Sequence, residues 1–411
     1  WYHGEKGRQK VSGPELLMVA ALLVIAGGVA MSTLGGVGGQ PEPELAETLH
    51  TFQDGRPSIA VLPLDNFSPD PGDAYFADGV HEEIISRLAK VASLRVISRN
   101  SVMRYREERK LTRQVANELG VGFILEGSAR IGGGMVRLTL QLIDGDTDAH
   151  LWTEEYDRPY TVEEFIPIQS EIAQEVARAL EVEIAPDEQA RIEAIPTAND
   201  EAFRLYVQGQ QYYRRPGFLQ GNLEIAQGFF EQALELDSTF ALTHAALSQV
   251  HGLMWWFGAD PSPERLARQR EEAETALRLA PELPEVHIAM GLVHSVRRDS
   301  QGALEALEEY GIALQALPND AESWKWIGFA HRRLGNWDEV DAAYEKATRL
   351  DPRDADLFWD LGGYTYHLTR RYADAIAAYN QALTLAPDLH IAAVNKGLVY
   401  LDWRGELDTL R

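Results

Sequence analysis

One set of landmark residues returns along the second half of the chain at an almost fixed interval, and such a period constrains the architecture more than any single residue does. The clearest copy runs from Ala321 to Pro352, AESWKWIGFAHRRLGNWDEVDAAYEKATRLDP. Trp324, Ile327, Gly328 and His331 supply a large, an apolar, a small and an aromatic-sized position on a first helix. Val340, Tyr344 and Ala347 supply a second helix, and Pro352 closes the unit. Gly335-Asn336 between them suits the left-handed backbone of a tight connection. Pro281, Pro318, Pro352 and Pro387 mark successive ends, with Ser238 in that role one unit earlier. Pro318 to Pro352 is 34 residues and Pro352 to Pro387 is 35, whereas the earlier gaps of 37 and 43 need loop insertions. The second-helix triplet recurs as Ala226/Phe230/Ala233, Ala306/Tyr310/Ala313 and Ala375/Tyr379/Ala382, and the unit ending at Pro281 keeps it less well. Five units are legible, and a truncated sixth opens near His390, where Gly397 and Tyr400 match again.

Several residue types at fixed spacing, repeated four or five times, resemble the tetratricopeptide (TPR) helix–turn–helix repeat. The resemblance implies an all-α solenoid over 201–411, whose first helices line a concave groove. It also implies that the second, fifth, ninth, twelfth and thirteenth positions of a unit face that groove. In the central unit these are Glu322, Lys325, Phe329, Arg332 and Arg333, and the next unit, counted from Ala355, adds Trp359, Tyr366 and His367. Basic residues beside aromatics suit an acidic or C-terminal peptide, held by charge-assisted hydrogen bonds and apolar anchors. Lys325, Phe329, Arg332, Arg333, Trp359 and Tyr366 are therefore the candidate groove residues. The plainer alternative makes Arg332 and Arg333 solvated turn residues before Gly335.

The N-terminal 1–15 carry Lys6, Arg8 and Lys10, and Leu16 to Leu34 follow with no charge. Nineteen residues at helical rise span roughly 30 Å of hydrocarbon. The expected reading is a transmembrane helix over 16–34; a cleaved signal peptide and a buried helix are its rivals. The basic flank before it and Glu42, Glu44, Glu47 and Asp54 after it put the N-terminal side in the cytoplasm. The expected location is the inner membrane, with residues after 34 periplasmic. Residues 35–56, Gly- and Pro-rich with acidic residues, read as a linker. The chain begins at Trp1 and its last repeat is cut at Arg411, so a fragment of a longer protein is expected.

Residues 57–185 alternate between strand and helix patterns. SIAVLPL (58–64) is an almost wholly apolar, β-branched run, and so a buried strand. Strands are also expected at 94–98, 122–131, 136–144 and 150–158, and helices at 74–90, 112–119 (closed by Gly120) and 166–184. The order is β-α-β-α-β-β-β-α, an α+β domain, with 186–200 a polar connector to the repeats. The run IAVLPLDNFSPDPGDAYFADGVHEEIISRLA, with VISRNSV and ELGVGFILEGSARIGGGMVRLTLQLIDGDTDAHLWTEEYDR, resembles a bacterial domain related to the N-terminal domain of TolB and to the FlgO and CsgG envelope proteins. WYHGEKGRQKVSGPELL resembles the juxtamembrane segment of multidomain relatives. In such relatives the domain follows membrane helices and precedes TPR repeats, and some carry a winged-helix, nucleotide-cyclase or protein-kinase module upstream.

No catalytic signature emerges: no nucleophile elbow, HExxH, phosphate loop or cyclase metal pair is legible. Asp144, Asp146, Asp148 and Glu155 fall at calcium-loop positions 1, 3, 5 and 12, yet Ala149 stands where Gly is needed, so a hairpin turn is the expectation. His244/His251 and His287/His294 are seven apart on helix faces, at repeat positions that pack between helices, so core packing is expected over a metal pair. Trp255-Trp256-Phe257 reads equally as a sticky patch or as cover for the insertion at 258–263. A net charge of −25 argues against nucleic acid as partner, and the absence of cysteine excludes disulfides and thiolate chemistry. The expected function is a membrane-anchored, non-enzymatic scaffold or sensor, without cofactor or metal, that recruits a protein partner through the concave groove. The alternative is the regulatory C-terminal half of a kinase, nucleotide cyclase or winged-helix regulator.

Overall fold

The computed structural model describes residues 55–68, 74–159, 161–215 and 220–405, all within a compact unit that begins at Thr48. The first part is a mixed sheet with helices. It runs β1 (Ser58–Val61), β2 (Asp65–Asn66), α1 (Ala74–Leu88), β3 (Arg95–Val96), α2 (Arg99–Val102), α3 (Thr112–Leu119), β4 (Phe123–Gly132), β5 (Met135–Asp144), β6 (His150–Pro159) and α4 (Val162–Ala179). The sheet order is β3-β1-β4-β5-β6, with β2 also pairing to β4. β1 is parallel to β3 and β4 and has every residue buried, the pattern of a strand covered on both faces. β4, β5 and β6 form an antiparallel meander. β5 buries Val136, Leu138, Leu140 and Leu142 on one face, as its alternating sequence requires. Gly120 ends α3 at φ 63°, ψ 46°, the left-handed cap expected of it.

Three short pieces depart from the sequence reading. β2 and α2 have only two and four residues, too few for a period to register. The connector after residue 185 contains a helix, α5 (Pro186–Glu193), with Pro186 in its first turn. Its Glu188 carboxylate accepts from the backbone N–H of Ala185 and of Ala92, each at 2.9 Å, and Ile192 is fully buried. A few anchoring contacts outweigh the segment's polar composition.

The second part is a TPR solenoid of paired helices: α6 (Asp200–Tyr213) with α7 (Gln220–Leu236), α8 (Ala241–Trp256) with α9 (Pro263–Leu279), α10 (Pro284–Ser295) with α11 (Ser300–Ala316) and α12 (Ala321–Leu334) with α13 (Trp337–Leu350). Next, α14 (Ala355–Asp360) runs into a π-helical turn (Leu361–His367) and pairs with α15 (Tyr372–Leu385), and α16 (His390–Arg404) follows. The pairing rule is steric. A Cβ on Gly209, Gly291 or Gly328 would lie 2.4, 2.5 or 2.7 Å from the ring of Phe230, Tyr310 or Tyr344 on the partner helix. Only glycine lets the two backbones close over that ring. In the irregular unit Gly252 meets Gln269 instead, at 2.5 Å, which is why its triplet is weak in the sequence.

The sheet part packs against the first-helix side of this solenoid, and one hydrophobic cluster runs from Ile59 to Trp326. Gly79 of α1 abuts Val207 of α6. Asn319 Nδ2 faces the carbonyls of Ala89 (3.2 Å), Val91 (3.3 Å) and Leu94 (2.9 Å) at the end of α1. Ser98 N donates to Leu350 O at 2.9 Å, Arg353 N donates to Ser101 Oγ at 2.9 Å, and Ser101 Oγ donates to Asp351.

The expected inner-membrane location is corrected here. Among the described residues no helix is long and apolar enough to cross a membrane. The basic segment 1–15, the expected span 16–34 and nearly all of the linker 35–56 lie outside the described residues.

Candidate functional site

The expected groove residues separate into two neighbourhoods. Lys325 Nζ lies 5.8 Å over the ring of Trp326. Burial works to lower its ammonium pKa, but the carboxylates of Glu322, Asp354, Asp360 and Asp356 outweigh it and hold the pKa up. Asp360 is itself pushed up to about 7 by burial, with Lys325 pulling it down and Asp356 and Asp354 pushing it up. Lys325 thus stands in the field of carboxylates from its own unit and the next, with no ion pair to any of them among the described residues.

Phe329, Arg332, Arg333 and Trp359 lie in a continuous aromatic strip. Trp256 meets Trp326 edge-on at 5.4 Å and Phe329 at 6.2 Å. Phe329 lies 5.7 Å from Tyr364, and Tyr364 lies 5.6 Å from Trp359. Arginines cover the strip. Arg332 sits 4.6 Å over Phe329 and 4.4 Å over Tyr364, Arg298 sits 5.0 Å over Trp256, and Arg333 sits 5.5 Å over Trp256. These are cation–π distances. Arg333 also donates to the Ser295 carbonyl. Among the described residues, none of the three makes an ion pair with a carboxylate. Burial lowers the pKa of Arg333, and Arg332 and Arg298 lower it further, so the three charges converge. On a chain of net charge −25 this is a local positive field.

Tyr366 and His367 go elsewhere. Tyr366 lies under Arg371, at 4.2 Å, and His367 Nε2 bonds Asp402 at 2.8 Å. The cause is the π-helical turn, whose wider winding rotates later side chains out of the regular register. Tyr364, 36% exposed, takes the place in the strip that repeat counting gave to Tyr366. Arg298 was also missed. It lies beyond the end of α10 at φ 57°, off any helical period. Trp256 was legible only as part of an apolar run.

The histidines tie helices together. His244 bonds Glu272 and the Ser238 carbonyl, and His287 bonds Glu309 and the Pro281 carbonyl. His294 pairs with Glu305 at 2.9 Å. His251, lowered to about 4 by burial and then by Arg265, accepts from Arg265 at 2.7 Å. Among the described residues no group of three His, Asp or Glu could hold a metal ion. Asp144 Oδ1 accepts from Asp146 N at 3.1 Å and Thr147 N at 2.7 Å, so the acidic run is a turn closed on its own backbone.

Residues 321–354 and 355–389 each match a family model of the tetratricopeptide repeat. Residues 55–175 match the model described as the second domain of HilA/YgeH-like transcriptional regulators, and the TolB-, FlgO- and CsgG-type resemblance is not what that model describes. Among curated proteins, the chain is 36% identical over 265 residues to "Putative adenylate cyclase 3" of Rhizobium meliloti (strain 1021), covering 64% of this chain and 43% of that protein. It is 31% identical over 119 residues to protein O-mannosyl-transferase TMTC1 of Mus musculus, covering 28% of this chain and 12% of that one. The chain thus spans less than half the length of these curated relatives. Similar solved structures include the TPR protein TTC0263 of Thermus thermophilus, at TM-score 0.41 and 19% identity, covering 49% of this chain and 99% of that one. Another is YrrB, described as a TPR protein with an unusual peptide-binding site, at TM-score 0.31 and 23% identity, covering 46% and 89%.

Proposed function

We propose that this chain is a non-enzymatic interaction region of a signalling protein, and that the strip of Trp256, Trp326, Phe329, Tyr364 and Trp359 receives an acidic protein segment. One observation carries the reading: Arg298, Arg332 and Arg333 are stacked on the strip without a carboxylate partner among the described residues. Stacking holds each guanidinium flat, and a flat guanidinium is ready to take a carboxylate in a bidentate pair. The aromatic rings supply the apolar anchor that exposed ion pairs alone lack. The test is fluorescence anisotropy with labelled ten-residue peptides that are Asp/Glu-rich, neutral or Lys-rich. Preference for the acidic peptide, lost in Arg298→Glu/Arg332→Glu, supports the reading; equal binding of all three overturns it.

A second, compatible reading is favoured by the 36% identity to the cyclase-named protein: this region regulates a nucleotide-cyclase module elsewhere in a longer product. The match at residues 55–175 supports a regulator of another kind, with a DNA-binding module in that place. The resemblance to TolB- and FlgO-type domains belongs with these proposals and names an architecture only. Cyclic AMP formation by the complete gene product, compared with the same product bearing Arg332→Glu, separates them. No cyclic AMP from either removes the cyclase reading.

A further inference from the structure

The ladder between β1 and β4 stops where Val61 pairs Leu125, and the chain rejoins β4 only at β2, where Asp65 pairs Ser128. Leu62, Pro63 and Leu64 fall outside the ladder, and a cleft of about 410 Å³ opens beside them. That volume lies within the about 300–1,000 Å³ of small-molecule sites. Its position has a topological cause. β1 and β4 are parallel neighbours in the sheet but not consecutive in the chain, because β3 and the connection over 97–122 come between them. Open α/β sheets take ligands in the crevice outside the carboxyl ends of their strands at such a switch. Here the connection supplies the far wall, through Tyr105, Lys110 and Val115.

The floor is polar. Successive strand residues alternate, so Glu126, Ser128, Thr139 and Gln141 share the face opposite to the buried Leu138, Leu140 and Leu142. Ser128 stands directly across from Thr139, and Glu126 from Gln141. Gln141 Nε2 donates to Glu126 Oε1 at 2.9 Å, so Glu126 Oε2 and Gln141 Oε1 remain as acceptors. Neither the Ser128 nor the Thr139 hydroxyl is engaged by another side chain among the described residues.

The charges around the cleft cancel, because three carboxylates and three cations line it. Lys110 pairs with Glu118 at 2.7 Å and with Glu108 at 3.2 Å, Arg109 with Asp65 at 3.6 Å, and Arg106 with Asp78. A bound anion would meet Asp65, Glu108 and Glu126, and a bound cation would meet the three bases, so neither sign gains. What remains is a row of hydroxyl, amide and carboxylate groups beside the half-buried Leu62 and Pro63.

We propose that this cleft binds an uncharged saccharide of one or two rings. Ring hydroxyls both donate and accept, which matches the mixed donors and acceptors of Ser128, Thr139, Glu126 and Gln141, and the C–H face of a ring suits Leu62 and Pro63. The site lies on the sheet part and does not depend on the arginine strip.

The test is saturation-transfer-difference NMR on the full chain with glucose, galactose, N-acetylglucosamine and maltose, each titrated in turn. Glutamate and 1,4-diaminobutane serve as charged controls. The expected result is saturable transfer to at least one sugar, unchanged by Arg332→Glu. Thr139→Val or Ser128→Ala is expected to weaken it about two- to tenfold, and both together more than tenfold. Both positions lie on an open strand face, and thermal unfolding like the parent's shows that the variants fold. No saturable transfer with any of the four sugars overturns the proposal. So does equal affinity in the double variant, or tighter binding of glutamate or 1,4-diaminobutane with the same dependence on Ser128 and Thr139.

Discussion

Replacing Asn319 with alanine probes the docking of the sheet part on the solenoid through one side chain. The amide nitrogen faces three carbonyls at 3.2, 3.3 and 2.9 Å but carries only two hydrogens. Val91 O already accepts from Leu94 N at 3.2 Å, so the substitution leaves the carbonyls of Ala89 and Leu94 as the exposed loss. An unmet buried polar group costs about 1–3 kcal/mol. Alanine also removes the unpaired Oδ1, which offsets part of that. The net expectation is a loss of about 2–4 kcal/mol, larger than the about 0.5 kcal/mol of an ordinary surface substitution. Thermal unfolding followed by circular dichroism reads the loss as a drop of several degrees. Limited proteolysis in the 89–94 connection is expected to quicken in parallel. Asn319→Asp removes the donors but keeps the shape, and is expected to be at least as harmful. A variant within about 0.5 kcal/mol of the parent, with the same cleavage rate, would refute the assignment of Asn319 as the clip.

Gly79→Ala is expected to loosen the same interface, because its new Cβ would lie 2.5 Å from Val207 Cγ1, and Val207→Ala is expected to restore stability in a double-mutant cycle. The Tyr344 hydroxyl is buried without a partner, so Tyr344→Phe is expected to be neutral or stabilising by up to about 1 kcal/mol in chemical unfolding, and a loss would contradict this. Asp351 is held at about 7, chiefly by burial, with Asp354 pushing it up and Ser101, Ser98 and Lys325 pulling it down. An unfolded aspartic acid titrates near 3.8, so between those values the native chain holds a proton that the unfolded chain has released. Stability therefore falls as pH rises from about 4 to about 7 and levels off above. Asp351→Asn keeps the acceptor for Ser101 and removes this contribution, so its melting temperature relative to the parent is expected to improve from pH 5 to pH 8. A constant difference would contradict the assignment.

The solenoid was legible because its determinants are local and repeated: a glycine on one helix, an aromatic on the next, a proline after both. Gly328 and Tyr344 announce each other across sixteen residues. The strands were legible for a related reason, since β1 and β5 carry the continuous and alternating patterns of doubly and singly covered strands. The site was only half legible. Phe329, Arg332 and Arg333 lie on a regular helix, where counting positions works. Tyr364 follows a π-helical turn and Arg298 a helix end, and no period places either. The carboxylates around Lys325, Asp354, Asp356 and Asp360, come from the next unit, and the repeat register alone does not show them. That the sheet part packs on the first helices was not legible either, because Asn319, Ser98 and Ser101 make their bonds across more than two hundred residues.

Three arginines stacked on an aromatic strip, without a carboxylate partner among the described residues, are proposed to select an acidic segment. The most direct measurement is a charge swap: titration of an Asp/Glu-rich and a Lys-rich peptide into the parent chain and into Arg298→Glu/Arg332→Glu, read by the fluorescence of the strip's own tryptophans. Each lost charge-assisted bond is worth about 1.5–3 kcal/mol, so the acidic peptide should bind the variant at least tenfold more weakly, and the Lys-rich peptide should gain. Unchanged affinity of the acidic peptide for the variant, or no preference in the parent, would contradict the account.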